Sequence, residues 1–237
     1  MKIYIENQSD LTYTEVRAAI RAINVQIKRD FAPLWDTTAT LVYRSAASSP
    51  DSTKDAVLYL FKEANVANAL GYHDKNNAGI PFGAVFTDLS KQLGEDWRTT
   101  LSHEALELGQ NPLANRSCIG PHPTKSYLVF HWDEMSDAVQ AESYEILGVP
   151  VSNFVTPLYF TPDEEKNDDQ STKPTNFLNT PLKSFGVRPG GYIGFYNPTT
   201  GKDETFMRRG DAKARERWRI KHKAGAMRRA YRHQLKT

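Results

Sequence analysis

The stretch Leu101-Ser102-His103-Glu104-Ala105-Leu106-Glu107-Leu108-Gly109-Gln110 places a histidine and two glutamates within five residues. In a helix, residues four apart stand one turn apart on the same face, so the His103 imidazole and the Glu107 carboxylate can converge on one point. Imidazole nitrogen and carboxylate oxygen are a donor pair suited to Zn²⁺. Glu104 projects about 100° further round the helix, beside such an ion instead of on it. A carboxylate there can take a proton from a water that the ion has acidified. The competing reading is an acidic solvated face, since glutamate is a good helix former and surface helices carry such triplets freely.

A metal centre needs more donors, and "WDEMSDAVQ" (132–140) supplies Asp133, Glu134 and Asp137 about thirty residues downstream. Glu104 and Glu107 follow His103 as in the H-E-x-x-H helix of zincin metallopeptidases, with glutamate replacing the second histidine. Zincins of the thermolysin type take a third ligand from a later glutamate and orient a ligand histidine with an aspartate. Glu134 is then the expected ligand and Asp137 its supporting partner, or the reverse. His73 in "GYHD" is a further candidate ligand or substrate contact, while His122, His131, Tyr144 and Tyr159 are candidate donors to an oxyanion. "RPGGYIG" lacks the lysine and spacing of a phosphate loop, so its glycines suit a turn or tight packing.

Elements that position these residues can be read from periodicity. "KIYIE" (2–6) alternates like a strand, and apolar residues at Val16, Ala19, Ile20, Ile23 and Ile27 predict a helix over about 14–35 ending near Pro33. "TATLVYRS" (38–45), "DAVLYLFKE" (55–63) and "FGAVFTDL" (82–89) read as strands, and "ALGYHDKNNAGIP" (69–81) as a loop. Asp96 is placed to cap the helix that carries His103. "SYLVFHW" (126–132) predicts another strand, "VPVSNFVTPLYF" (149–160) an extended apolar run, and 190–206 a hairpin turning at "NPTTG". This order argues for an α/β or α+β layered domain over 1–206, with 161–180 a polar surface loop or linker. The strand at 82–89 occupies the position where zincins hold an extended substrate on a sheet edge.

The 237 residues, 39% of them hydrophobic, suffice for a real core, and the single Cys118 excludes an intramolecular disulfide. No run approaches the ~18 apolar residues of a membrane span, and the N-terminus lacks a signal-peptide core, so a soluble protein in the cytoplasm is expected. The net charge of +2 hides a polarity: residues 207–237 hold 12 Lys and Arg against 2 Asp and Glu, leaving about −8 on the body. A basic helical tail is expected, with Ile220, Ala224, Met227, Tyr231 and Leu235 on one narrow apolar stripe. Arg208, Arg209, Arg215, Arg217, Trp218, Arg219, Lys221, Arg228, Arg229 and Arg232 could dock phosphates and bases of nucleic acid, or an acidic protein surface. That surface includes the acidic body of a second copy in a homo-oligomer.

In order along the chain, "ALGYHD", "TLSHEALELGQNP", "DEMSDAVQ", "GVPVSNFVTPLYF" and "PGGYIGFY" resemble a family of zincin-like H-E-x-x-E proteins from bacteriophages and bacterial genomes, over about residues 65–200. The family has Asp-Pro after the helix and Cys-Asp-Pro in the downstream motif, where this chain has Asn111-Pro112 and Ser136-Asp137-Ala138. The resemblance implies a zincin-like α+β fold and an ion at His103, Glu107 and Glu134 or Asp137, with no substrate assigned. Two functions fit: a zinc metallopeptidase acting on a peptide or protein substrate with Glu104 as base, or a non-catalytic component of a phage virion. The second would be anchored to nucleic acid or particle proteins by the basic tail. The carboxylate-rich donor set also admits Mn²⁺ or Ca²⁺.

Overall fold

A computed structural model of the chain describes residues 1–45, 48, 51, 53–64, 70–76 and 79–208. It is a mixed α+β structure with three β-sheets among these residues. Strand β1 (Lys2–Gln8) buries Ile3 and Ile5 on one face, then the chain turns into helix α1 (Tyr13–Gln26). Thr12 caps α1: its hydroxyl accepts from Glu15 N while the Glu15 carboxylate accepts from Thr12 N, satisfying two otherwise orphaned donors. All five apolar positions of the predicted stripe are buried.

Pro33 does not end this helix. A π-helical turn, Ile27–Phe31, leads into helix α2 (Ala32–Trp35), and Pro33 sits in the first turn of α2, where its missing N–H leaves no bond unmade. The chain leaves the helix at Asp36, in the left-handed region at φ 49°.

Strands β2 (Thr40–Tyr43), β3 (Ala56–Phe61), β4 (Gly71–Lys75) and β5 (Pro81–Phe86) join β1 in a sheet of order β2-β1-β3-β5-β4. All pairings are parallel except β4 with β5, which is antiparallel. This corrects two expectations. Residues 71–75 form a strand within the segment read as a loop, and the 82–89 segment is neither wholly strand nor at the edge. Strand β5 lies between β3 and β4, and residues from Thr87 onward form helix α3 (Thr87–Gln92). Strand β4 takes the edge.

Helix α4 (Trp97–Gln110) begins at Asp96, whose carboxylate accepts from Arg98 N at 2.9 Å, as expected of the cap. It lies against the face of the sheet that carries Ile3, Ile5, Leu58, Leu60 and Val85, and these side chains share one core with Leu101, Ala105, Leu106 and Leu108. The opposite face is closed by aromatic rings: Tyr59 stacks on Phe61, Phe61 on Phe86, and Tyr72 meets Phe82 and Phe86.

Strands β6 (Ser117–Pro121) and β7 (Leu128–Trp132) follow, then a 3₁₀ turn at Asp137–Val139 and the hairpin of β8 (Ser143–Ile146) and β9 (Val149–Ser152). The run 149–160 is therefore extended only at its start; Pro157–Phe160 is a 3₁₀ turn. Residues 161–180 are largely exposed and include a 3₁₀ turn at Asp163–Glu165 and the single turn α5 (Asp168–Ser171). Strands β10 (Tyr192–Asn197) and β11 (Lys202–Met207) form the expected hairpin and complete an antiparallel sheet of order β11-β10-β7-β6.

Ser102 of α4 ties the layers together. Its hydroxyl donates to Gln26 Oε1 of α1 at 2.6 Å and accepts from Ser152 N of β9 at 3.0 Å, all three residues being buried. Among the described residues, no helix is long and apolar enough to cross a membrane. Arg208 is exposed; the other tail residues named above, Arg209 to Arg232 with Trp218, lie outside the described residues.

Candidate metal centre

The burial of α4 decides between the two readings of its acidic triplet. His103, Glu104 and Glu107 are only 6%, 3% and 2% exposed, so this is no solvated face. Buried carboxylates are costly unless hydrogen-bonded, paired or bound to a cation. Over residues 101–108 the helix is interior all round because the sheet covers one side and β9 with the 133–139 segment covers others.

The i,i+4 pair forms as the spacing requires: His103 Nε2 lies 3.3 Å from Glu107 Oε2. Asp137, at the start of its 3₁₀ turn, brings Oδ1 to 3.1 Å from the same His103 Nε2. That turn is held at two places. Ser136 N donates to Glu107 Oε1 at 3.0 Å, and Gly191 packs directly on Ala138, where a Cβ would stand 2.3 Å from the Ala138 carbonyl oxygen. Gly191 of "RPGGYIG" therefore serves tight packing, while Gly190 takes a positive φ of 84° in the turn before β10. Asn111, the first residue beyond α4, donates to Asp133 O and accepts from Arg116 N, fastening the helix end to the downstream segment.

From the other side comes His73, on edge strand β4. Its Nδ1 lies 3.2 Å from Glu104 Oε2 and 3.6 Å from Glu107 Oε2, and its Nε2 lies 3.4 Å from Glu134 Oε2. Burial alone would lower the pKa of this imidazole, but the carboxylates of Glu134, Glu104 and Glu107 outweigh it and raise the value to about 9. Nε2 is buried and makes no hydrogen bond. The sequence singled out His73 but read its segment as a loop; its place on β4 brings it into the cluster.

Two sets of donors come together among the described residues: His103, Glu107 and Asp137, and His73, Glu107 and Glu134, each with its ligand atoms within 4.8 Å of one another. The chemistry of these donors fits a divalent cation. Two ligands bound tetrahedrally at roughly 2.1 Å stand about 3.4 Å apart, and the His103 contacts of 3.1 and 3.3 Å are close to that. Glu134 and Asp137 both reach the cluster. Asp137 meets the ring nitrogen that also faces Glu107, whereas an aspartate that only orients a ligand histidine would meet the opposite nitrogen.

A small cavity of about 30 Å³ adjoins the cluster, lined by Gly71, Thr100, His103, Glu104 and Gln140 among others. It has room for about two water molecules. Gly71 is required here: a Cβ would stand 2.9 Å from Glu104 Oε1 and 3.0 Å from the Ala84 carbonyl.

The remaining candidates are engaged elsewhere. Tyr144 donates to Asp30 Oδ2 and accepts from Gln26, and Tyr159 donates to the Gly186 carbonyl; burial raises both phenol pKa values well above the usual range. His131 shares a 2.9 Å contact with the Pro121 carbonyl and packs against Phe185, and burial lowers its pKa. His122 lies against Tyr127 and Phe195. Asp133 pairs with Arg116 across 3.3 Å, outside both donor sets.

Comparison with protein-family models, with curated proteins and with solved structures finds no match to this chain.

Proposed function

We propose that the protein is a zincin-like metal-dependent hydrolase that cleaves peptide bonds. The observation that carries this reading is the convergence of His103, Glu107 and Asp137 on one point, with the buried Glu104 carboxylate adjoining it. These three residues would hold the ion, and Glu134 faces His73 in the adjoining donor set. A divalent ion there would polarise a carbonyl and bring the pKa of a coordinated water toward neutrality. Glu104 takes the proton from the attacking water: its Oε2 is held by His73, and its Oε1 faces Gly71 at the cavity wall. Having accepted that proton, Glu104 can deliver it to the leaving amine. Strand β4, at the sheet edge, would hold an extended substrate through main-chain hydrogen bonds, the role expected of 82–89. Zn²⁺ fits the nitrogen donors; the carboxylates also suit Mn²⁺ or Ca²⁺.

A second reading is favoured by the enclosure of the site. With ligands almost wholly buried and a cavity of about 30 Å³, the ion could serve stability in a non-catalytic component of a phage particle. Its basic tail would then anchor it to nucleic acid or to an acidic protein surface.

Glu104→Gln separates the two. Wild-type and variant proteins loaded with Zn²⁺ are incubated with an unfolded protein such as reduced casein, and cleavage is followed with and without chelator. The hydrolase reading predicts chelator-sensitive cleavage that falls by roughly 10²–10⁴-fold in Glu104→Gln while the metal content is unchanged. Equal cleavage by both proteins would contradict it, and no cleavage by either would favour the structural role.

A further inference from the structure

We propose that the cluster binds two divalent cations, the second held by His73, Glu107 and Glu134, with Glu107 shared between them. The proposal rests on the metal-dependent reading of the His103 set and extends it.

Glu107 is the common member of both donor sets. Its Oε1 is fixed by the Ser136 N–H at 3.0 Å. Its Oε2 stands between the two histidines, 3.3 Å from His103 Nε2 and 3.6 Å from His73 Nδ1. Glu107 therefore adjoins both imidazoles, and it offers a ligand atom within 4.8 Å of those of His73 and Glu134 as well as of those of His103 and Asp137.

His73 supplies the independent observation. It is 2% exposed, and its Nε2 makes no hydrogen bond while facing Glu134 Oε2 across 3.4 Å. That separation is about the distance between two ligands on one zinc or manganese ion. The other ring nitrogen, Nδ1, bonds to the Glu104 carboxylate at 3.2 Å. A histidine with one nitrogen given to a carboxylate and the other aimed at a donor cluster has the pattern of a metal ligand, whose second N–H is almost always held in this way. The backbone fixes the aim. His73 pairs with Gly83 of β5, and a Cβ on Gly83 would stand 3.3 Å from His73 Cβ and 2.5 Å from Leu58 Cδ2, so the pairing needs glycine.

Charge points the same way. Glu104, Glu107, Glu134 and Asp137 bring four formal negative charges into one largely buried volume. Negative charge gathered in a low-dielectric interior favours bound cations.

The test is stoichiometry. Metal-free full-length protein is titrated with Mn²⁺, bound ions per chain are counted by plasma mass spectrometry after gel filtration, and the bound Mn²⁺ is examined by electron paramagnetic resonance. Wild type should take two ions per chain with a spectrum of a spin-coupled pair. Glu134→Gln and His73→Gln should each take one ion with the spectrum of isolated Mn²⁺. Glu134 is partly exposed and glutamine has the same shape, so that variant reports on the site even if His73→Gln fails to fold. One ion in wild type, kept in both variants, would overturn the second site and leave the hydrolase reading intact. One ion in wild type that is lost in Glu134→Gln would overturn the pair and move the single ion to the His73 set. No bound ion would overturn both.

Discussion

Nδ1 of His73 lies 3.2 Å from Oε2 of Glu104, joining an edge strand to a buried helix across 31 positions of sequence. Neither residue could be placed beside the other from spacing alone. Their meeting makes the relative position of β4 and α4 a functional quantity: whatever shifts the strand shifts the carboxylate.

Gly71 sits where that relationship is tightest. In Gly71→Ala the new methyl would meet Glu104 Oε1 and Thr100 Cγ2, each at 2.9 Å, and the Ala84 carbonyl at 3.0 Å. The backbone oxygen has no rotamer by which to yield. The variant should lose about 1–3 kcal/mol of stability in urea unfolding, and any hydrolysis should fall further than the metal content. Unchanged unfolding and unchanged turnover would show that this contact is looser than described.

The metal-free protein should lose stability as pH rises through about 9. His73 has its folded-state pKa raised to about 9, against an ordinary 6.5. Its contribution is therefore complete below about pH 6.5, declines as pH rises from there toward 9, and is gone above it. Melting temperatures of chelator-treated wild type and His73→Gln, measured from pH 6.5 to 10, should converge on the alkaline side. A gap between them that stays constant over this range would contradict the assignment.

Ser102→Ala removes a hydroxyl that links three elements. It leaves Ser152 N without its acceptor and Gln26 Oε1 without its donor, in a fully buried place. The expected cost is about 1–3 kcal/mol in chemical denaturation, with metal content unchanged, because Ser102 belongs to neither donor set. A neutral result would mean that α1 and β9 hold α4 without this bridge.

Cys118 should be slow to alkylate in the folded protein. Burial, reinforced by the Asp133 charge, pushes its thiol up to about 12. At pH 8 that leaves a thiolate fraction about a thousandfold below that of an ordinary cysteine near 8.5. Iodoacetamide should therefore label the native chain at least roughly a hundredfold more slowly than the urea-unfolded chain, read by intact mass. Equal rates would show an open thiol.

Much of this was legible in the residues. The stripe from Val16 to Ile27 is buried, Asp96 caps its helix, and 190–206 is a hairpin because alternation and turn chemistry are local signals. His103 and Glu107 meet because i,i+4 geometry is also local. What escaped was tertiary. Strand β4 reads as a loop because Gly71, Asp74, Asn76 and Gly79 crowd it, and it is a strand only because β5 offers an antiparallel edge. Adding β4 moved the sheet edge away from 82–89. Burial of the 101–108 part of α4 on every side was hidden by Ser102 and the acidic triplet, which break any apolar stripe. The choice between Glu134 and Asp137 turns on which histidine each one faces, which depends on where His73 is placed.

The most direct test of the account is the metal content of the purified protein after Zn²⁺ is offered at neutral pH and excess is removed, with His103→Ala measured alongside. Wild type should retain bound zinc, and His103→Ala should lose the His103 ion. Wild-type protein that retains no metal, or His103→Ala that retains as much as wild type, would contradict it.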